Sequence, residues 1–534
     1  MAHSAGHLIV KQLTASGIER VYSVPGESFL DVLDGLYDSD ITNVVARHEG
    51  GAAFMALAEG RLTGKPGIAL VTRGPGAANA QIAIHTAYQD QTPLVLMIGL
   101  VPVADRNRES FQEFDPHAWF GSTAKKVVIL DDADSAAELV DDALFTAASG
   151  RPGPVVIGLP EDVLTHLTEQ EPVRPRPAAS PAPGTAQMAE LKALLDRAER
   201  PLFVLGGDGW RDGTGPALAE WAAAAHVPVT TDFRAYDAIP HASSSYVGSL
   251  GYGRSDALAR RFDEADLLVF VGAVRSDVLS DGYRIGFGAT TVVVSPDASL
   301  LGHSGRVDLQ IVSTPANFVP LLPPRAGALT DWCSEARDEH LEFRTPSAHE
   351  DSGVDLYQAM KVLEETTRGE AVVTYGAGNH AIWAGRYLTH ELPNSLVAPR
   401  NGAMGVGVPA AVASALIFPE RTVVTVAGDG CFMMNGQELA TAVGYGAKVH
   451  AIVVDNGCFA TIREHQEAHY PDRPSGTHLT NPDFAALGRA YGLHGETVRT
   501  TEEFAPALNR ALASSTGSVI HVITDPETRA PSTS

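Results

Sequence analysis

A chain of 534 residues (56.3 kDa) is too long for one hydrophobic core. At roughly 100–200 residues per domain it implies two to four domains, with three in the middle. Its 44% hydrophobic and 19% charged residues exclude a disordered or fibrous chain, and 39 basic against 64 acidic residues leave a formal charge of −25. That field excludes a broad nucleic-acid footprint or an anionic membrane surface, while small anions would need backbone N–H groups or a metal. Cys333, Cys431 and Cys458 lie far apart and build no disulfide framework. Met1-Ala2-His3-Ser4 opens no secretory signal. The longest apolar run, Gly405 to Phe418, is about fourteen residues with Pro409 inside it, against about twenty for a membrane span. The expectation is a soluble, cytoplasmic protein without a membrane or nucleic-acid partner.

Taken in chain order, apolar runs occur at Gly67 to Thr72, Leu94 to Ile98 and Val155 to Leu159, then at Leu202 to Leu205, Leu267 to Val271 and Thr291 to Val294. Two more follow at Val423 to Val426 and Val449 to Val454. Continuous Val/Ile/Leu runs separated by helical patterns predict parallel sheets covered on both faces. Pro172, Pro175, Pro177, Pro181 and Pro183 exclude a helix or central strand between Thr168 and Thr185. A weaker break spans Pro323 to Gly327, and a polar stretch runs from Thr345 to Gly353. The spacing predicts three α/β domains with doubly wound parallel sheets, at 1–167, 186–325 and 350–526.

The most informative stretch is Arg421 to Asn456. A strand ends at Ala427 and runs into Gly428-Asp429-Gly430; Gln437 to Ala442 reads as a helix, and the next strand ends at Asp455-Asn456-Gly457. In an open parallel sheet both loops fall at the carboxyl edge, where ligands collect. Gly428 and Gly430 let the backbone approach a phosphate. Asp429 offers a hard carboxylate oxygen and Asn456 a neutral amide oxygen, a pair that suits Mg²⁺ completed by phosphate oxygens. Either loop alone could be a tight turn; the spacing after two apolar strands favours binding.

This arrangement resembles the thiamin-diphosphate binding motif, and the resemblance covers nearly the whole chain. Val24-Pro25-Gly26-Glu27, Arg47-His48-Glu49-Gly50-Gly51-Ala52, Val71 to Asn79, Phe111-Gln112-Glu113, Ser149 to Val155 and Gly402-Ala403-Met404-Gly405 stand in the order found in the acetolactate synthase and pyruvate oxidase group. The resemblance implies a pyrimidine-binding, a central and a diphosphate-binding domain. It implies that Glu49 hydrogen-bonds N1′ of the cofactor's aminopyrimidine and favours its imino form. Gly76 and Asn79 would lie beside the pyrimidine, Gly402 would offer its carbonyl to it, and Met404 would wedge the cofactor into its bent form. Asn379, His380, Gly428, Gly430 and Cys431 would surround the diphosphate. Asp429, Asn456 and Cys458 would hold the metal, and Phe111, Gln112 and Glu27 would face the reacting end. Glu27 stands where relatives of acetolactate synthase usually have glycine, which changes the charge of the substrate pocket.

Two further positions bear on the acceptor. His465 stands where the biosynthetic enzymes carry a tryptophan that selects 2-oxobutyrate. Arg275 matches, with a one-residue gap, an arginine that reads the second substrate's carboxylate, although an exposed arginine explains it nearly as well. The central domain would take FAD, as in acetolactate synthases and pyruvate oxidases, or ADP, as in oxalyl-CoA decarboxylases; Gly206-Gly207-Asp208-Gly209 does not choose. The implied activity is decarboxylation of a 2-oxo acid and carboligation through an enamine, in a homodimer or homotetramer. The rivals are a 2-hydroxyacyl-CoA lyase, a sulfoacetaldehyde acetyltransferase, a simple decarboxylase, or a cofactor-binding protein without turnover.

Overall fold

Runs such as Leu94–Leu100 and Pro154–Pro160 are buried along their whole length, as strands covered on both faces must be. The computed structural model describes residues 2–207, 209–325, 331–345 and 353–532. Asp208, Gly327 and most of the stretch from Thr345 to Gly353 lie outside the described residues. Three six-stranded sheets, all parallel, carry the fold. The first holds β1 (Arg20–Ser23), β2 (Thr42–Val45), β3 (Gly67–Thr72), β4 (Leu94–Leu100), β5 (Lys126–Ile129) and β6 (Pro154–Pro160). The second holds β7 (Pro201–Leu205), β8 (Val229–Thr231), β9 (Tyr246–Ser249), β10 (Leu267–Val271), β11 (Thr290–Ser295) and β12 (Leu309–Val312). The third holds β13 (Val372–Thr374), β14 (Leu396–Val397), β15 (Val423–Gly428), β16 (His450–Asp455), β17 (His494–Val498) and β18 (Ser518–Ile523).

Strand order identifies the ligand edges. The first sheet runs β2-β1-β3-β4-β6-β5 and the third repeats it as β14-β13-β15-β16-β18-β17. The order reverses between β1 and β3, and between β13 and β15, so crevices open at the carboxyl ends of those pairs. The second sheet runs β9-β8-β7-β10-β11-β12 and reverses between β7 and β10. There the two loops close on each other. A Cβ on Gly207 would lie 2.7 Å from the Gly272 carbonyl oxygen, and one on Gly272 would lie 2.3 Å from that of Gly206.

The chain forms two compact units. One comprises Met1–Ala179, Pro399–Pro419 and Asn435–Ala447; the other comprises Ser180–Ala398, Glu420–Met434 and Lys448–Ser534. In the first unit, helix α1 (Glu49–Thr63) opens on His48, whose side chain accepts from the Gly50 N–H at 3.0 Å, and stops at Gly64 in the left-handed region. Its first turns are Gly50, Gly51, Ala52 and Ala53, all buried, so neighbouring groups approach the backbone closely. Helix α2 (Arg73–Asp90) follows β3 without a loop. The proline-rich segment after Thr168 carries no helix or strand before Thr185 and is pinned to the same unit by Arg176 on Asp141, at 2.6 Å. In the second unit, α3 (Asn379–Tyr387) follows β13, and α6 (Ala460–His469) follows β16. The two helices between them in sequence are α4 (Gly407–Ile417), which belongs to the first unit, and α5 (Asp429–Asn435), which starts directly from β15. The helix expected at Gln437 to Ala442 is a 3₁₀ turn, Gly436–Glu438, followed by an α-helical stretch, Leu439–Gly444.

Candidate active site

In the first unit the switch between β1 and β3 gathers charge. Gly26 lies where a Cβ would come within 2.5 Å of the Thr72 Cβ, so the two loops touch. Arg73, the first residue of α2, is nearly buried and pairs with Glu161 at 2.5 Å. It also faces Glu27 at 3.9 Å and donates to the Phe111 carbonyl at 3.5 Å. Glu27 therefore does not bring a lone negative charge. Gln112 adopts a left-handed φ of 64° and its carbonyl accepts the Gly74 N–H at 3.0 Å, while Phe111 is 74% exposed. Arg73, Gln112 and Phe114 line a cavity of about 670 Å³.

Glu49 leads α1, half-buried. Its Oε2 accepts from the Asn79 amide at 2.9 Å, and its Oε1 lies 3.4 Å from where a Gly76 Cβ would stand. Glu49, Gly76 and Asn79 are thus together. The loop before α4 belongs to the same unit. Asn401 donates to Thr86 at 3.0 Å, and the Arg400 N–H donates to Asp90 at 2.8 Å. Gly402 has φ +70 with open space around it, and Met404 is half-buried.

A residue not assigned from the sequence supports this corner. Glu438 is completely buried, accepts the Arg47 N–H on both oxygens at 3.2 and 3.1 Å, and accepts the Thr441 hydroxyl at 2.7 Å. It fixes the backbone two residues before Glu49. Burial pushes its carboxyl above the usual range, against the hydrogen bonds of Thr441 and the Arg47 backbone. The only signal in the sequence was a carboxylate inside an apolar helix.

In the second unit the ends of β15 and β16 bring Asp429 and Asn456 to one edge. Asp429 is nearly buried; its Oδ1 accepts from the Gly430 N–H at 2.8 Å, and its Oδ2 from the Gly457 N–H at 3.0 Å and the Asn481 amide at 2.7 Å. The same Asn481 amide reaches Asp455 at 2.8 Å, and Asp455 also meets His521 at 2.8 Å. Asn481 and His521 were not assigned because they lie far from Asp429 along the chain, and Asp455 was read only as the end of its strand. Burial, reinforced by the neighbouring Asp455 charge, pushes Asp429 up to about 6. Asp429 makes no ion pair among the described residues, so a cation is the natural partner for its charge. Asn456 accepts the Cys458 N–H at 3.2 Å and keeps a second lone pair. Burial pushes the Cys458 thiol up, so it stays protonated, and what it offers a hard cation is its backbone carbonyl. This oxygen set fits Mg²⁺.

Gly428 packs against His380, where a Cβ would fall 2.8 Å from Nδ1, and Gly430 packs against Phe459, where a Cβ would fall 2.4 Å from the ring. Side chains at either position would fill the space above the edge, so the glycines fit a phosphate cradle. His380 is buried and held near pKa 3 by burial and then by Arg234, so it is neutral; its Nε2 has no partner among the described residues. Cys431 is buried in the first turn of α5. Asn379 is engaged within the protein. Its amide donates to Glu464 at 2.6 Å and accepts from Thr461 at 2.7 Å, so α6 holds it. His465 lies exposed on α6.

Arg275 corrects the alternative of an exposed arginine. It is 1% exposed, donates to the Ser304 carbonyl at 3.0 Å and the Thr291 hydroxyl at 2.6 Å, and lies over the rings of Phe270 and Phe287. It braces the central core. Gly207 and Gly272 bring the two backbones into close approach at the β7/β10 switch.

A glycine-lined edge beside a buried carboxylate, on a chain of three doubly wound sheets, has the form of an α/β cofactor-binding protein. Residues 3–119 match the N-terminal TPP binding domain of the thiamine pyrophosphate enzymes, 188–322 their central domain and 376–522 their C-terminal TPP binding domain. The chain is 30% identical to the acetolactate synthase isozyme 2 large subunit of Escherichia coli (strain K12), over 97% of this chain and 95% of that one. It is 31% identical to the acetolactate synthase large subunit of Parasynechococcus marenigrum (strain WH8102), over 97% and 87% respectively. The probable acetolactate synthase large subunit of Methanocaldococcus jannaschii is 28% identical, over 98% and 92%. The chain belongs to the thiamine pyrophosphate enzyme family and is an acetolactate synthase-like enzyme. Among the described residues no helix is long and apolar enough to cross a membrane.

Proposed function

We propose that this protein decarboxylates a pyruvate-type 2-oxo acid and joins the remaining acyl unit to a second carbonyl compound. The observation that carries the reading is the Glu49 carboxylate, fixed at the head of α1 by Asn79 and by the small residues around it. Bound thiamin diphosphate supplies the nucleophilic carbon and the electron sink. Glu49 holds a proton at N1′ of the aminopyrimidine, with Gly76 and Asn79 beside it and Gly402 and Met404 shaping the ring's seat. Asp429, Asn456 and the Cys458 carbonyl hold Mg²⁺. Gly428, Gly430, Cys431, Asn379 and His380 surround the diphosphate, which requires Asn379 to leave Glu464. Phe111, Gln112 and Glu27 border the substrate, and Arg73 moderates the charge of Glu27. The working form is a cytoplasmic homodimer or homotetramer, and any FAD would sit at the β7/β10 switch.

The test is Glu49→Gln. The variant retains cofactor binding by calorimetry, because metal and diphosphate ligands are untouched, while C2–H exchange of the bound cofactor in deuterium oxide slows by orders of magnitude. Wild-type exchange no faster than that of free cofactor refutes the enzyme. Product analysis with pyruvate alone, then with added aldehydes or CoA thioesters, separates carboligation from simple decarboxylation and from acyl-CoA lyase chemistry.

A further inference from the structure

Burying a guanidinium without a carboxylate is expensive, and proteins keep such a group where an anion arrives. Arg234 is such a group. It follows β8, is 6% exposed and has a left-handed φ of 69°, which a long side chain adopts at a cost. Its Nε and Nη1 find no hydrogen-bond acceptor, and it makes no ion pair among the described residues. The guanidinium lies 4.3 Å from the Phe233 ring centre and 4.7 Å from that of Tyr375. Cation–π contacts of this kind offset part of the burial cost and leave those two N–H groups unmet.

Arg234 is not isolated. Tyr375, the residue after β13, is 1% exposed, and its hydroxyl, beside the Arg234 guanidinium, finds no well-formed hydrogen bond. His380 heads α3 after the same strand; its Nε2 is likewise unmet, and its ring touches Gly428 at the end of β15. Three buried side chains from two sheets thus converge on the β13/β15 switch. All three carry unmet polar atoms, and together they carry a positive charge. Arg275, also buried, differs in that both of its terminal nitrogens are bonded and its Nε alone is unmet.

We propose that Arg234, Tyr375 and His380 receive an oxyanion at the β13/β15 switch, either a phosphate of the cofactor or the carboxylate of the 2-oxo acid. The inference rests on the thiamin-diphosphate reading for its ligand but not for its geometry. Arg234 supplies charge and two N–H donors from the central sheet, and Tyr375 adds an O–H donor. This makes Arg234 a ligand-binding residue that no motif of the sequence marks.

The experiment titrates magnesium pyrophosphate into metal- and cofactor-free protein by calorimetry, and oxamate into protein loaded with magnesium and thiamin diphosphate. Arg234→Gln weakening pyrophosphate at least tenfold assigns the phosphate. Unchanged pyrophosphate with oxamate weakened at least tenfold assigns the carboxylate. Tyr375→Phe, which keeps the ring under Arg234, weakens the same ligand several-fold and serves if Arg234→Gln does not fold. Ligand-free Arg234→Gln should also melt at or above the wild-type temperature, because it loses a buried, unpaired charge. A folded Arg234→Gln that binds both ligands like wild type, or that melts well below wild type without affecting either affinity, overturns the proposal. Wild type that binds neither thiamin diphosphate nor oxamate defeats the cofactor reading; if it still binds pyrophosphate through Arg234, the anion site stands alone.

Discussion

Replacing Glu438 with alanine tests whether the base of α1 is held by a buried carboxylate. The side chain accepts one backbone N–H and one hydroxyl, at 3.1 and 2.7 Å, with no exposure to water. Hydrogen bonds to an ionised group contribute about 1.5–3 kcal/mol each, and the donors left behind in Arg47 and Thr441 cannot all be rehydrated. Release of the buried charge offsets part of this, since its raised pKa means that ionisation costs the folded state free energy. The net expectation is a loss of about 2–4 kcal/mol in urea unfolding. Amide exchange at Arg47 should accelerate by at least tenfold, and turnover should fall because Glu49 lies two residues on. Glu438→Gln keeps the shape and supplies a pH control. A carboxyl raised on folding loses its contribution as pH climbs from about 4.5 through the raised value. The gap between wild type and Glu438→Gln should therefore shift toward the variant as pH rises above about 4.5. An alanine variant within about 0.5 kcal/mol of wild type, with unchanged Arg47 exchange, would refute the clamp.

Asp429→Ala should bind thiamin diphosphate at least a hundredfold more weakly by calorimetry, and EDTA should produce the same loss in wild type; unchanged affinity in the variant removes the metal assignment. Burial holds His340 near pKa 3 and His450 near 4, both below the ordinary value of about 6.5. Their neutral forms favour the fold, so stability is present above pH 6.5 and is lost as pH falls toward those values. The urea midpoint should decline steadily over that range, and a flat midpoint down to pH 4 contradicts it. Glu27→Gly removes a carboxylate 3.9 Å from Arg73 and leaves the Glu161 pair intact, so stability should stay within about 0.5 kcal/mol. KM for an anionic substrate should drop several-fold, and an unchanged KM shows that Glu27 does not face it.

Local pattern determined the elements and the meeting of Asp429 with Asn456. Gly67–Thr72 and Leu267–Val271 are strands at the bounds their apolar runs suggest, because continuous Val, Ile and Leu report burial on both faces wherever the strand sits. Asp429 and Asn456 meet at one edge because each follows a parallel strand directly, and adjacent parallel strands bring their loops together. The resemblance supplied Glu49, whose place beside Asn79 depends on neighbouring elements of one sheet. Tertiary structure alone decided which distant groups became partners. Arg73 reaches Glu161 across 88 positions, and Glu438 reaches Arg47 across 391, pairings set by strand order and by the return of residues 435–447 to the first unit. It also separated two arginines of similar burial. Arg275 bonds both terminal nitrogens inside the central core and leaves Nε unmet, whereas Arg234 keeps Nε and Nη1 unmet beside His380 and Tyr375. Nothing in a window of sequence distinguishes them, because a side chain's partners are fixed by the crossovers that assemble the sheets and not by its neighbours along the chain.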